Sequence, residues 1–312
     1  MSTTVDSFLE DVKRRITVPA NQALLSSANI LVMSDKAMRE KVVPALMKVR
    51  QNFFLKDYTE TLVADQAAYG IPYRSIGRTL HEIKLRHGTA LTSNQSNLAQ
   101  LEISDLHNYS TSSGVPEGFY FRGDKVVLSP APVSASYQML GWYPLQPSRH
   151  CLVEDAALVV SIAGSTVTCS NVPATMIAGA VVDFVQAKSG SSILSMDIAI
   201  TGINTLDIVF ATGAVPTDLV AGDYISIKQT SPVIQLPDEA IPLLELWTCH
   251  RVLGAISDFE GMAALKGEAD MVLSDLTNIL NPRMKSEPVK IMNRNGLLRG
   301  RPVGGRFKGF TP

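Results

Sequence analysis

One block in the middle of the chain limits the fold more than any other feature. Residues 154–228 hold only nine charged side chains in 75 positions and consist of short apolar, β-branched runs. The runs 158–162, 167–169, 181–186, 197–201, 206–210 and 224–228 are separated by Gly, Ser, Asn and Pro. Such punctuation predicts a small all-β barrel or sandwich. Helical periodicity lies on both sides, so the block reads as a β-domain inserted into an α+β body made of residues 1–153 and 229–282.

Val5, Phe8, Leu9, Val12 and Ile16 follow the spacing of an amphipathic helix, with Lys13, Arg14 and Arg15 on its outer side. A second helix is expected over 34–51, capped by Ser34 or Asp35 and kinked or split by Pro44. After Pro237, Asp238 can cap a helix over 243–256. A long apolar stripe then runs through Phe259, Met262, Ala269, Val272, Leu273, Leu276, Ile279 and Leu280, and Asn281-Pro282 stops it. Neither end of the chain has enough apolar partners to bury its stripes alone. Together they predict one helical bundle, in which Phe259, Met262, Leu273 and Leu276 meet Phe8, Leu9 and Val12, or the same face of an adjacent subunit. Between these ends, 53–55, 81–85, 118–121, 125–128 and 136–143 read as short strands. Gly123-Asp124 turns a hairpin, and a short helix is expected over 103–109.

Charge is divided unevenly. The last thirty residues carry Arg283, Lys285, Lys290, Arg294, Arg299, Arg301, Arg306 and Lys308 against one acid, Glu287, a net +7. The rest of the chain holds 20 basic and 28 acidic residues, a net −8. The tail is rich in Pro and Gly and too poor in apolar residues to fold alone. It reads as an extended arm over 283–312 that orders on a partner, anchored by Ile291, Leu297, Leu298, Phe307 and Phe310. Basic residues interleaved with aromatics also invite a nucleic-acid reading, but a lone arm without a folded aromatic platform favours docking onto an acidic protein groove.

Motifs that carry chemistry are scarce. Cys151, Cys169 and Cys249 stand apart, without a CxxC pair, and read as small apolar residues. The five histidines show no HxxH or HExxH spacing, and Cys249-His250 adjacency is poor for chelation. There is no GxSxG elbow and no GxxxxGK[ST] loop, and Gly304-Gly305 follows no expected strand. The sequons at Asn94 and Asn108 lack a secretory context. No apolar run reaches the roughly 18 residues of a membrane-spanning helix, and no signal peptide is expected. The residues therefore predict a non-enzymatic chain without metal or cofactor, made in the cytosol.

Several segments resemble a family of bacteriophage structural proteins. Val12-Lys13-Arg14-Arg15-Ile16-Thr17-Val18-Pro19-Ala20-Asn21-Gln22 looks like the opening of that group, and 39–54 like the helix that follows. Tyr69-Gly70-Ile71-Pro72-Tyr73-Arg74-Ser75-Ile76-Gly77 is similar to its "Y.IPYRAIG" signature. Pro116–Tyr120 with 126–132, and Leu140-Gly141-Trp142-Tyr143, resemble its hairpin and following strand. The resemblance implies a head–tail adaptor (connector) of a virion: a ring of twelve copies beneath the portal protein, above tail or nozzle proteins, with genomic DNA passing through the lumen. It also implies that the C-terminal arm docks into the portal. An acidic body suits a channel through which DNA slides, since Lys and Arg contacts to phosphates would hold it. A second structural expectation is a neck, tail or baseplate component whose β-domain binds a neighbouring protein or a host glycan. The β-block holds no Trp and one Tyr, Tyr224, which disfavours glycan stacking.

Overall fold

The computed structural model describes residues 3–16, 26–50, 52–88, 94–102, 113–187 and 193–280. The helix expected over 103–109 and the arm 283–312 lie outside the described residues. The N-terminal amphipathic segment forms helix α1 (Val5–Ile16), whose buried face is Val5, Phe8, Leu9 and Val12. Helix α2 (Ser27–Ala37) starts earlier than its sequence suggested: Ser26 is the cap, its side chain accepting from the Asn29 amide. Ser34 and Asp35 therefore sit in mid-helix. A π-turn over Met38–Val42 leads directly into α3 (Val43–Val49). Pro44 explains the turn. It has no N–H to give, and its ring would strike the carbonyl four residues back, at Glu40. The ladder widens instead, and the Val43 amide bonds to the Met38 carbonyl, so the rod continues without splitting.

The strands of the first half are β1 (Leu55–Thr61), β2 (Ala68–Gly70), β3 (His81–His87), β4 (Gln95–Asn97), β5 (Ala99–Gln100), β6 (Gly118–Arg122), β7 (Lys125–Ser129) and β8 (Tyr137–Pro144). The first begins at Leu55, because residues 52–54 form a turn. They build two four-stranded sheets, β1-β8-β3-β4 and β2-β7-β6-β5. The two share one core, including Leu62, Tyr69, Leu85, Phe119, Val126 and Met139. Gly123 turns the β6–β7 hairpin at φ +63°, a conformation that side chains with a Cβ resist.

After β9 (Arg149–His150) come β10 (Ala157–Ala163), β11 (Thr166–Cys169), β12 (Val181–Val185), β13 (Ile193–Asn204), β14 (Asp207–Phe210) and β15 (Tyr224–Ile227). These last six close into a barrel in the order β10-β11-β14-β13-β12-β15. Its interior is Val159, Val167, Phe184, Ile200, Ile208, Phe210 and Ile225 among others. Strand β16 (Thr230–Ser231) leaves the barrel and pairs in parallel with β9, which leads into it. A 3₁₀ turn over Asp238–Ala240 then precedes α4 (Ile241–Ala255), and α5 (Phe259–Leu280) ends the described chain.

A third apolar cluster draws on all five helices. Phe8, Leu9 and Val12 share it with Ile30, Leu46, Leu243, Val252, Ala269 and Leu276, and Leu273 packs against it. Phe259 does not join this core; it is 74% exposed. At about 100° per residue it lies roughly a quarter-turn around α5 from the Ala269–Leu276 line, so an apolar residue is present but faces away. Met262 packs beside Gly254, where a Cβ would come within 3.3 Å of its sulfur.

Leu276→Asp should therefore destabilise the chain by several kcal/mol in urea unfolding, since it buries an unpaired charge. Phe259→Ser should leave the midpoint within about 0.5 kcal/mol of the parent.

Candidate interaction site at the barrel neck

The residues most deeply committed to polar contacts lie where the barrel joins the body. Arg74, from the segment between β2 and β3, is 4% exposed, and Asp183 on β12 is fully buried. Their side chains pair at 2.6 Å (Nη1 to Oδ2), while Arg74 Nη2 donates to Ser148 Oγ at 2.6 Å. Asp183 also accepts the Gln229 amide at 2.9 Å and the Asp197 amide at 3.0 Å. A buried carboxylate is tolerable only when its lone pairs are so filled.

The Asp197 contact depends on a bulge. Val182 pairs with Ile198 and Phe184 with Ser195, so two residues of β13 oppose Asp183. Asp197 takes φ +60° there and is re-aimed towards the body. Its carboxylate accepts from Tyr73 Oη at 2.8 Å and pairs with Lys228 Nζ at 3.0 Å. Lys228 also lies 4.5 Å from the centre of the Tyr73 ring. The Asp197 hydrogen bond and the Tyr73 contact raise the Lys228 pKa. Lys56 on β1 adds a bond to the Ile193 carbonyl at 2.9 Å, and its burial lowers its pKa.

Just beneath, His150 on β9 is tied to α2. Its Nδ1 lies 3.0 Å from Ser34 Oγ, and its backbone amide donates to Asp35 Oδ1 at 2.8 Å. A serine, a histidine and a carboxylate thus meet, yet Ser34 is fully buried and His150 is 7% exposed, so the hydroxyl has no contact with solvent. The trio acts as a polar clamp between helix and neck. His150 Nε2 has no partner among the described residues, and burial, aided by Arg39, lowers the ring pKa to about 4. Burial raises that of Asp35.

The three thiols are buried, and burial pushes Cys151 and Cys249 up to about 12 and Cys169 to about 11, which keeps them protonated and unreactive. Among the described residues no group of three or more His, Cys, Asp and Glu is placed to hold a metal ion. No described helix is long and apolar enough to cross a membrane.

Of the residues singled out by sequence, the structure brings Phe8, Leu9, Val12, Leu273 and Leu276 together and leaves Met262 and Phe259 at the far end of α5. The arm residues, from Arg283 to Phe310, lie outside the described residues. Sequence pattern does not show the neck contacts, because Arg74 and Asp183 are 109 residues apart. One signal was present: a lone acid inside the apolar run Val181-Val182-Asp183-Phe184-Val185. Comparison with protein-family models and with curated proteins gives no match, so the reading of this site rests on its geometry.

Two outcomes follow. Arg74→Met leaves Asp183 charged and buried, and should cost about 3–5 kcal/mol of stability, whereas the double replacement Arg74→Met/Asp183→Leu should recover most of it. The folded pKa of His150 lies below its unfolded value of 6.5, so the unfolded chain takes up a proton first as the pH falls. Stability present above pH 6.5 should be drained towards pH 4, by about 3 kcal/mol in all. Asp35, shifted the opposite way, offsets part of this at the acid end. Urea unfolding between pH 7 and 5 should show the slope in the parent chain and lose it in His150→Gln.

Proposed function

We propose that this chain is a non-enzymatic structural subunit of a bacteriophage virion, a head–tail adaptor that forms a ring beneath the portal. The observation that carries the reading is what the signature segment does. Tyr69 and Ile71 are core residues, Gly77 turns the chain at φ +66°, and Tyr73 and Arg74 clamp the barrel to the body. A motif whose side chains are occupied in joining parts of a molecule suits a building block better than a catalyst. It is the same stretch whose sequence resembles phage adaptors.

In this reading the five helices pack as one bundle and supply the subunit contacts. Helix α5 leaves Phe259, Met271 and Ile279 exposed at 74%, 70% and 55%, at positions spread along and around the helix, and in this reading they are subunit contacts. Residues 154–228 form a separable module on the outside of the ring, joined through the two-stranded neck. Its exposed Val160, Ile177 and Val220 offer attachment surface to tail components. The arm 283–312 docks onto the portal, its charges steering and Ile291, Leu297, Leu298, Phe307 and Phe310 anchoring. The acidic body faces DNA that passes without sequence-specific binding.

Electron microscopy of the purified chain with and without portal tests the proposal: rings on portal are expected, and a chain that stays monomeric with portal present overturns it. Deleting 283–312 should leave a folded protein that no longer joins the portal. Phe259→Glu/Met271→Glu, both at exposed positions, should keep the monomer's thermal midpoint while abolishing rings.

A further inference from the structure

Helices α3, α4 and α5 do not close against one another along their whole length. They leave an open groove of about 670 Å³, within the size range of sites that hold several apolar side chains. Leu243 and Trp247 of α4, Val49 of α3 and Leu273 of α5 supply apolar lining. Trp247 is half-buried, and its indole N–H has no hydrogen-bond partner among the described residues. A large, half-buried aromatic lining a cleft is a residue type enriched at the energetic centre of protein recognition.

The rim gives the groove a sign. Lys41, Lys48 and Lys266 are exposed around it, and none makes an ion pair among the described residues. Lys41 leans over the Trp247 ring at 5.1 Å. Of the two carboxylates on the rim, Glu40 is already paired with Arg251 at 2.5 Å, which leaves Asp270 against three ammonium groups. His250, 5.3 Å from Trp247, has its pKa lowered by burial and then by Arg251, Lys266 and Lys41, so the field is positive on that side. This is uncommon on a body that is −8 overall.

We infer that the groove formed by α3, α4 and α5 is a docking site for an acidic, apolar peptide segment of a partner protein, with Trp247 as the anchor and Lys41, Lys48 and Lys266 as the selecting charges. The chain's own residues 283–312 are a poor occupant, because a net +7 segment would meet three lysines. The inference stands on the groove and does not need the ring or the portal.

The test uses the full-length chain carrying Trp142→Phe, so that Trp247 is its sole tryptophan. The probe is a short helix-forming peptide of leucine, phenylalanine and glutamate, compared with a twin in which lysine replaces every glutamate. The glutamate peptide should shift Trp247 emission to the blue and bind about tenfold or more tightly than its twin. Lys48→Glu/Lys266→Glu, both at exposed positions, should reverse that preference. Equal affinity for the two peptides, or unchanged preference in the charge-reversed variant, would overturn the inference. So would emission already blue-shifted in the free chain at every dilution, which would mean that the chain covers its own groove. A shift that follows protein concentration would assign the groove to a second copy, and tighter binding of a short DNA duplex than of the glutamate peptide would assign it to nucleic acid; either result overturns the peptide reading.

Discussion

The buried pair of Arg74 and Asp183 is the contact on which the arrangement of this molecule depends. None of the three apolar clusters extends across the neck. The barrel is held to the body by few and mainly polar contacts: one guanidinium with two acceptors, one carboxylate with three donors, and the Tyr73–Asp197–Lys228 set beside them. Polar contacts are directional where apolar ones are not. The pair therefore fixes the angle at which the barrel stands, although an apolar substitute could hold it as tightly.

Around this pair the chain path is economical. The strands that lead into and out of the barrel run side by side, Arg149 with Thr230 and Ser231 with His150. The same short ribbon receives the start of α1, through the Val5 amide to the Pro232 carbonyl, and the middle of α2, through Ser34 and Asp35. Helices, sheets and barrel thus meet at one place, and a disturbance there reaches all three. The burial of His150, which lowers its ring pKa to about 4, makes this junction sensitive to acid as well as central.

What the sequence disclosed follows the range of the interactions involved. The barrel was legible because low charge and β-branched runs are local properties, and so were α1 and the Gly123 hairpin. Ser34 and Asp35 look like caps in sequence, yet in the structure they are mid-helix residues held by a histidine 116 and 115 positions away. Phe259 reads as core from the sequence because α5 is apolar on several faces, and counting hydrophobic residues does not choose the buried one. Arg74 stood in a quoted motif without a role, since no local pattern names its partner. Pairings between remote segments are decided only when the chain has closed.

The π-turn at Met38–Val42 has a consequence of another kind. One residue more than an α-helix needs is wound into the rod between α2 and α3, which sets the angular phase of everything after it. Upstream of the turn, Ser34 and Asp35 look towards the neck; downstream, Leu46 looks into the helical core and Val49 into the groove. Removing a single residue there would turn α3 by about 100° against α2 and bring the Pro44 ring against the carbonyl four residues back. Exposed, polar positions such as Glu40 and Lys41 would ordinarily tolerate a change in chain length. At these two exposed positions a substitution keeps the phase of α3 and a deletion does not, so it is the length of this stretch that sets where α3 faces.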